Sequence, residues 1–269
     1  ARICPDNRGT RMIYARRLEY NGKIEEALKM YQEAIFMDPG FANGYLCICD
    51  LIPKLTPERR EEVLDDLESM VTRIIGGVPF ASNLASRVAS FHGLESSLKH
   101  LEKWKAARGN ESDLILATAT VLIDYKESRE HLEQALEILN QGIQDFPAHF
   151  QLRSLKARAL TELNQDDSAI EVLRDLLELQ PTHNMTRIML GRLLTTKELP
   201  EGVTAILEEA VEIDPNDVGA RMELARHLWN QDLPLEAIDS LYASVKWMPE
   251  SVNLADRLIE LLLDMDRDQ

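Results

Sequence analysis

The stretch MLGRLLTTKELPEGVTAILEEAVEIDPND, Met189 to Asp217, decides the fold, because its closing proline belongs to a series. Pro147, Pro181, Pro215 and Pro249 follow one another at a spacing of 34 residues. A period of this length marks a stack of similar supersecondary units, each too small to bury its apolar face without a neighbour. Function is therefore to be sought in a stack, with no single pocket assumed.

More than the proline repeats. Twelve residues before it stand Ala135, Ala169, Val203 and Ala237, and eight before it Leu139, Leu173, Leu207 and Leu241. Twenty-four before, in the last three units, come Ala157, Gly191 and Ala225. Small residues at one place in each of two helical segments allow two backbones to cross closely, and the leucine fills the adjoining space. Each unit then reads as a helical hairpin ended by proline, which cannot continue a helix.

These residues resemble the tetratricopeptide repeat family, whose pattern sets a small residue in the first helix, Ala and a large apolar residue in the second, and Pro at the end of 34 residues. One position departs from it: where the family often has Trp, 28 residues before the proline, this chain has Arg153, Arg187 and Arg221. Ankyrin repeats have nearly the same period but a turn signature that is absent here. The resemblance implies an all-α fold, a right-handed superhelical array of antiparallel helix pairs. We expect a single array over residues 1–269, with repeats at about 8–41, 42–81, 82–113, 114–149, 150–183, 184–217 and 218–251 and a capping helix at 251–265. Asn21-Gly22 and Gly93 supply turns, and Thr56-Pro57-Glu58 reads as a helix start. The second unit is longer than the others, and its extra residues at IPKLTPERR predict a protruding loop.

Composition narrows the partner. A formal net charge of -16 repels phosphate backbones and anionic membrane surfaces, so nucleic acid is disfavoured. No apolar run reaches the length of a membrane span, so no direct membrane insertion is expected in this segment. Cys4, Cys47 and Cys49 form no metal-ligand set, which points to reduced thiols and a cytoplasmic location. Because the chain starts without Met, we expect it to begin inside a longer gene product.

No catalytic constellation, metal site or cofactor motif emerges, and we expect no enzyme. The six histidines lack metal spacing, and His227 beside Arg226 reads as an ordinary helix residue. Gly76-Gly77 lacks the strand and basic residue that a phosphate loop requires.

The resemblance implies that first helices line a concave inner surface where a protein or peptide partner binds. Twenty-three residues before the repeat prolines stand Arg16, Arg158, Arg192 and Arg226. Groove-facing offsets also carry Met185, Ile188, Met222, Trp229 and Asn230. Apolar side chains around a row of guanidinium groups suit an extended segment that is acidic and partly apolar. The alternative is that the arginines pair with acidic neighbours such as Glu162 or Glu223. The series Arg11, Arg153, Arg187 and Arg221 lies about 140° further around the helix, so its heads are expected to meet acidic residues of a neighbouring unit. The expected role is that of a scaffold or adaptor. Its rivals are a partner-recruiting region of a larger enzyme, such as a glycosyltransferase, and self-association through an end repeat.

Overall fold

The structure, a computed structural model, describes residues 8–71, 80–197, 202–247 and 250–267. Pro79, Pro249, Gly76-Gly77 and Cys4 lie outside these residues. Among the described residues every long element is an α-helix. In the first half these are α1 (Arg8–Tyr20), α2 (Ile24–Met37), α3 (Ala42–Leu51), α4 (Pro57–Val71), α5 (Ala81–His92), α6 (Leu94–Arg108), α7 (Ser112–Asp124) and α8 (Arg129–Asp145). There follow α9 (Phe150–Glu162), α10 (Asp166–Leu179), α11 (Asn184–Thr196), α12 (Val203–Ile213), α13 (Val218–Asn230), α14 (Pro234–Trp247) and α15 (Val252–Arg267). The chain forms two compact units, Ala1–Leu155 and Lys156–Gln269.

In the N-terminal unit, Ala27, Tyr31 and Ala34 of α2 are buried, as their spacing in the sequence predicts. Gly93, at φ +85°, turns the chain between α5 and α6, a backbone state that glycine adopts without steric cost. The segment after Leu51 corrects the expectation of a protruding loop. Ile52–Lys54 forms one 3-10 turn, and Ile52 and Leu55 are buried, because two apolar side chains within so short a segment draw it onto the core. Arg60 pins the turn by donating to the carbonyls of Ile52 and Leu55 at 3.4 and 3.3 Å while its guanidinium lies over the Phe91 ring at 3.9 Å. Helix α4 then starts at Pro57, with the Thr56 hydroxyl accepting from the Arg59 amide at 3.4 Å.

The C-terminal unit shows why the small residues recur. α11 packs against α10, α12 and α13, and α13 packs in turn against α12, α14 and α15. Ala157, Ala225, Ala169, Val203 and Ala237 are all fully buried. At Gly191 the crossing is closest, for an added Cβ would stand 2.5 Å from Cδ2 of Leu207. Asn164 and Asp232 hold φ +59° and +57° in the turns between paired helices, a left-handed state that Asn and Asp tolerate better than other residues bearing a Cβ.

α15 buries Leu254, Leu258 and Leu261. At the register of Ala157, Gly191 and Ala225, however, it carries Ile259. That side chain is exposed, together with Val252, Leu262 and Leu263. In α11 the same face is covered by α12.

Candidate protein-interaction face

Three sets of polar contacts build the first-helix face of the C-terminal unit, and the helix starts come first. His183 caps α11, its Nδ1 accepting from the Thr186 amide at 3.3 Å, and Asp217 caps α13, accepting from the Ala220 amide at 3.1 Å. Asn184 Nδ2 donates to Oδ2 of that Asp217 at 2.7 Å, so the starts of α11 and α13 are tied to one another.

The second set explains the arginines that replace the family's tryptophan. Arg221 Nε donates to the carbonyl of Pro215 at 2.8 Å and Arg187 donates to that of Pro181, and in the N-terminal unit Arg153 Nη2 donates likewise to that of Pro147 at 3.1 Å. In each case the acceptor lies six residues upstream and closes the preceding repeat. The far edge of the guanidinium reaches the second helix of its own repeat. Arg187 Nη2 lies 2.6 Å from Glu209 Oε1, Arg221 Nη1 donates to Ser244 Oγ at 2.8 Å, and in the N-terminal unit Arg11 pairs with Glu33. This corrects the expectation of acidic partners in a neighbouring unit. The neighbour supplies its proline carbonyl.

Third come the arginines of the row expected from the sequence. Glu223 of α13 is buried and stands between Arg192 of α11 and Arg226 of α13. Arg192 Nε donates to Glu223 Oε1 at 2.8 Å with its Nη2 2.7 Å from the same oxygen, and Arg226 Nε donates to Oε2 at 2.8 Å with its Nη2 2.6 Å away, although that buried Nη2 makes no aligned hydrogen bond. The structure thus brings two of the row's arginines together around one carboxylate. The Arg192 side chain nonetheless remains 61% exposed. Met222, Arg226, Trp229 and Asn230 recur at helical spacing on one side of α13, and Met185, Arg192 and Thr196 do so on α11. Met185 and Asn230 are exposed, while Met222 and Trp229 are half-buried against a core of Ala225, Ala237 and Leu241. Arg158 is half-buried on α9. Ile188 departs from the expected row: it is 3% exposed and packs with Ala210 and Ala220, because its offset turns it toward α12 and α13. Arg16 belongs to the N-terminal unit, where it is exposed on α1 and hydrogen-bonds the Cys47 side chain.

His227, read from sequence as an ordinary helix residue, is 1% exposed. Its Nδ1 lies 3.1 Å from Thr195 Oγ1 and its Nε2 3.1 Å from Thr204 Oγ1, so it joins α13 to both α11 and α12. Thr195 already donates its hydroxyl proton to the Gly191 carbonyl at 2.8 Å and can only accept from the ring. The hydrogen-bond pattern therefore assigns the neutral Nδ1–H tautomer, with Nε2 accepting from Thr204. Burial, and then the charge of Arg226, holds the imidazole below its ordinary pKa. Since the unfolded chain titrates near about 6.5 and the folded one lower, the unfolded state binds more protons in that window. Stability is complete above that value and is lost as pH falls through it. Urea midpoints taken from neutral to mildly acidic pH are expected to decline in the wild type and to decline less in His227→Gln.

Helix pairs of this kind, with a small-residue crossing and a proline-closed turn, resemble those of the tetratricopeptide class of helical repeat. Residues 128–188 match the sequence model of that family, described as Tetratricopeptide repeat. No curated protein matches the chain. Three solved structures show the same fold. Yeast Tom70 superposes with a TM-score of 0.66 at 16% identity, over 97% of this chain and 56% of its own. MamA residues 41 to the end, from Desulfovibrio magneticus RS-1, give 0.53 at 17% identity, over 64% of this chain and 96% of that one. TTC0263, a thermophilic TPR protein of Thermus thermophilus, gives 0.52 at 17% identity, over 83% and 100%. The family resemblance is thus shown over residues 128–188, and the all-α fold is that of tetratricopeptide solenoids.

Among the described residues no group of three or more His, Cys, Asp or Glu side chains is placed to hold a metal ion, and no helix is long and apolar enough to cross a membrane.

Proposed function

We propose that this chain is a non-catalytic interaction scaffold, working in the cytoplasm, that holds an extended, acidic and partly apolar partner segment along the first-helix groove of its C-terminal unit. The observation that carries the reading is a segregation of charge. Within the C-terminal unit, α9, α11 and α13 hold six Arg and Lys against two carboxylates, whereas α10, α12 and α14 hold ten carboxylates against two cations. In a chain of net charge -16, a cationic first-helix face stands out against an acidic background. Such a face steers an acidic segment toward itself while the second helices repel it. Two of the six, Arg187 and Arg221, are committed to the turn carbonyls, and the other four are Lys156, Arg158 and the Glu223-paired Arg192 and Arg226. Met185, Met222 and Trp229 supply adaptable apolar contacts beside them.

A photo-crosslinking side chain placed in the full chain at Met185 or Asn230 tests the reading. It is expected to trap acidic, leucine- and phenylalanine-containing peptides in a salt-sensitive manner, and the same group at exposed Ala243 of α14 is expected not to. Equal trapping at all three positions would refute the assignment.

The bare face of α15 favours a second reading, association of two copies through exposed Ile259, Leu262 and Leu263. Sedimentation over a concentration series decides it: a mass that stays monomeric throughout removes that role.

A further inference from the structure

We propose that Glu223 fixes how many negative charges a partner segment presents at the step between α11 and α13, making it a specificity-determining residue that never needs to touch the partner. The inference rests on the groove reading above and adds to it the chemistry of one step. Both carboxylate oxygens of Glu223 are used, Oε1 by Arg192 and Oε2 by Arg226, each through an Nε hydrogen bond with the neighbouring Nη2 in ion-pair contact. A guanidinium has five N–H donors in a rigid fork. The edge formed with Nη1 is therefore turned away from Glu223 in both residues, and at Arg192 it belongs to a side chain that is 61% exposed.

The three groups together carry one net positive charge. Because Nη2 of Arg226 is buried, the outward edge that a partner can reach is that of Arg192, and a single carboxylate on it neutralises the charge with the bidentate geometry that arginine favours. A second carboxylate at the same step adds no compensated pair and meets the buried charge of Glu223 at short range. The internal carboxylate also keeps two long, rotamer-rich side chains in place before the partner arrives, so less ordering entropy is spent on binding. Stability alone does not account for the arrangement, because a buried ion triad is on average no more stabilising than apolar residues of the same volume.

The experiment measures fluorescence anisotropy of the full chain with labelled dodecapeptides of Leu, Phe, Ser and Gly carrying no, one or two aspartates at adjacent central positions. The wild type is expected to bind the one-aspartate peptide at least as tightly as the two-aspartate peptide, and both about tenfold or more above the uncharged one. In Glu223→Gln the net charge of the step rises to two, and the preference is expected to move to the two-aspartate peptide by about tenfold. Removing one cation as well, in Arg192→Gln with Glu223→Gln, returns the charge to one and is expected to restore the original order. This double variant also gives an answer should the single one fold poorly. An unchanged order of the peptides in variants that still bind them overturns the role of Glu223 while leaving the groove in place. No binding of any acidic peptide by the wild type overturns both.

Discussion

Valine in place of Gly191 is expected to leave the C-terminal unit unfolded under conditions where the wild type is native. The position lies within α11, and in a helix interior glycine costs roughly 0.5–1 kcal/mol relative to alanine, so propensity by itself favours a larger residue. Space decides against it. A Cβ here stands 2.5 Å from Cδ2 and 2.8 Å from Cγ of Leu207, which is fully buried and has nowhere to retreat. Overpacking of a close-packed site costs about 1–3 kcal/mol for modest insertions, and the two further branches of valine extend the clash into the α11/α12 crossing. Set against a total stability of about 5–15 kcal/mol for a domain, the loss removes a large share. Thermal denaturation followed by helicity checks it. Gly191→Ala is expected to lower the midpoint and Leu207→Ala to lower it as well, but the two together are expected to lose less than the sum, because the alanine methyl enters the space that the leucine vacates. Simple additivity would show that the crossing is not the cause.

That crossing was legible in the sequence because it is a matter of size at fixed register. Ala157, Gly191 and Ala225 announce a close approach, and Leu173, Leu207 and Leu241 announce what fills it. Both signals depend on helical period alone, and the buried positions follow them. Polar positions were read less well, for a physical reason. An arginine's stem reaches several ångströms in more than one direction, so its register fixes the Cα and leaves the head undetermined. The heads of Arg153, Arg187 and Arg221 go to the carbonyls of Pro147, Pro181 and Pro215, six residues back in every case, a spacing that was present in the sequence but invisible without the turn that folds it over. Ile188 failed as a wall residue because a difference of one position rotates a side chain by about 100° and carries it from groove to core. His227 gave no signal of its own. Its hydroxyl partners Thr195 and Thr204 lie 32 and 23 residues away on two other helices.

Converting the charged trio to apolar residues, Arg192→Met with Glu223→Leu and Arg226→Met, is expected to separate what the groups do for binding from what they do for folding. Removing both arginines leaves a buried carboxylate without a partner, and an uncompensated buried charge costs about 3–5 kcal/mol, so that change does not test binding cleanly. Replacing all three groups by residues of similar volume is on average neutral or stabilising by about 1–4 kcal/mol, and the lower end applies here because Arg192 is largely exposed. The triple variant should therefore melt at or slightly above the wild-type temperature. Capture of acidic peptides should fall by about a hundredfold or more, since the variant loses the outward guanidinium edges and the net positive charge of the step. Its residual binding should also lose much of its dependence on salt. A variant that folds and still captures the peptides at wild-type strength would show that Arg192 and Arg226 serve only to neutralise Glu223. One that unfolds would show that the trio is held for stability. The expected pattern, a fold kept and a ligand lost, is what distinguishes a charge network retained at some cost in stability from one that the packing of α11 against α13 requires.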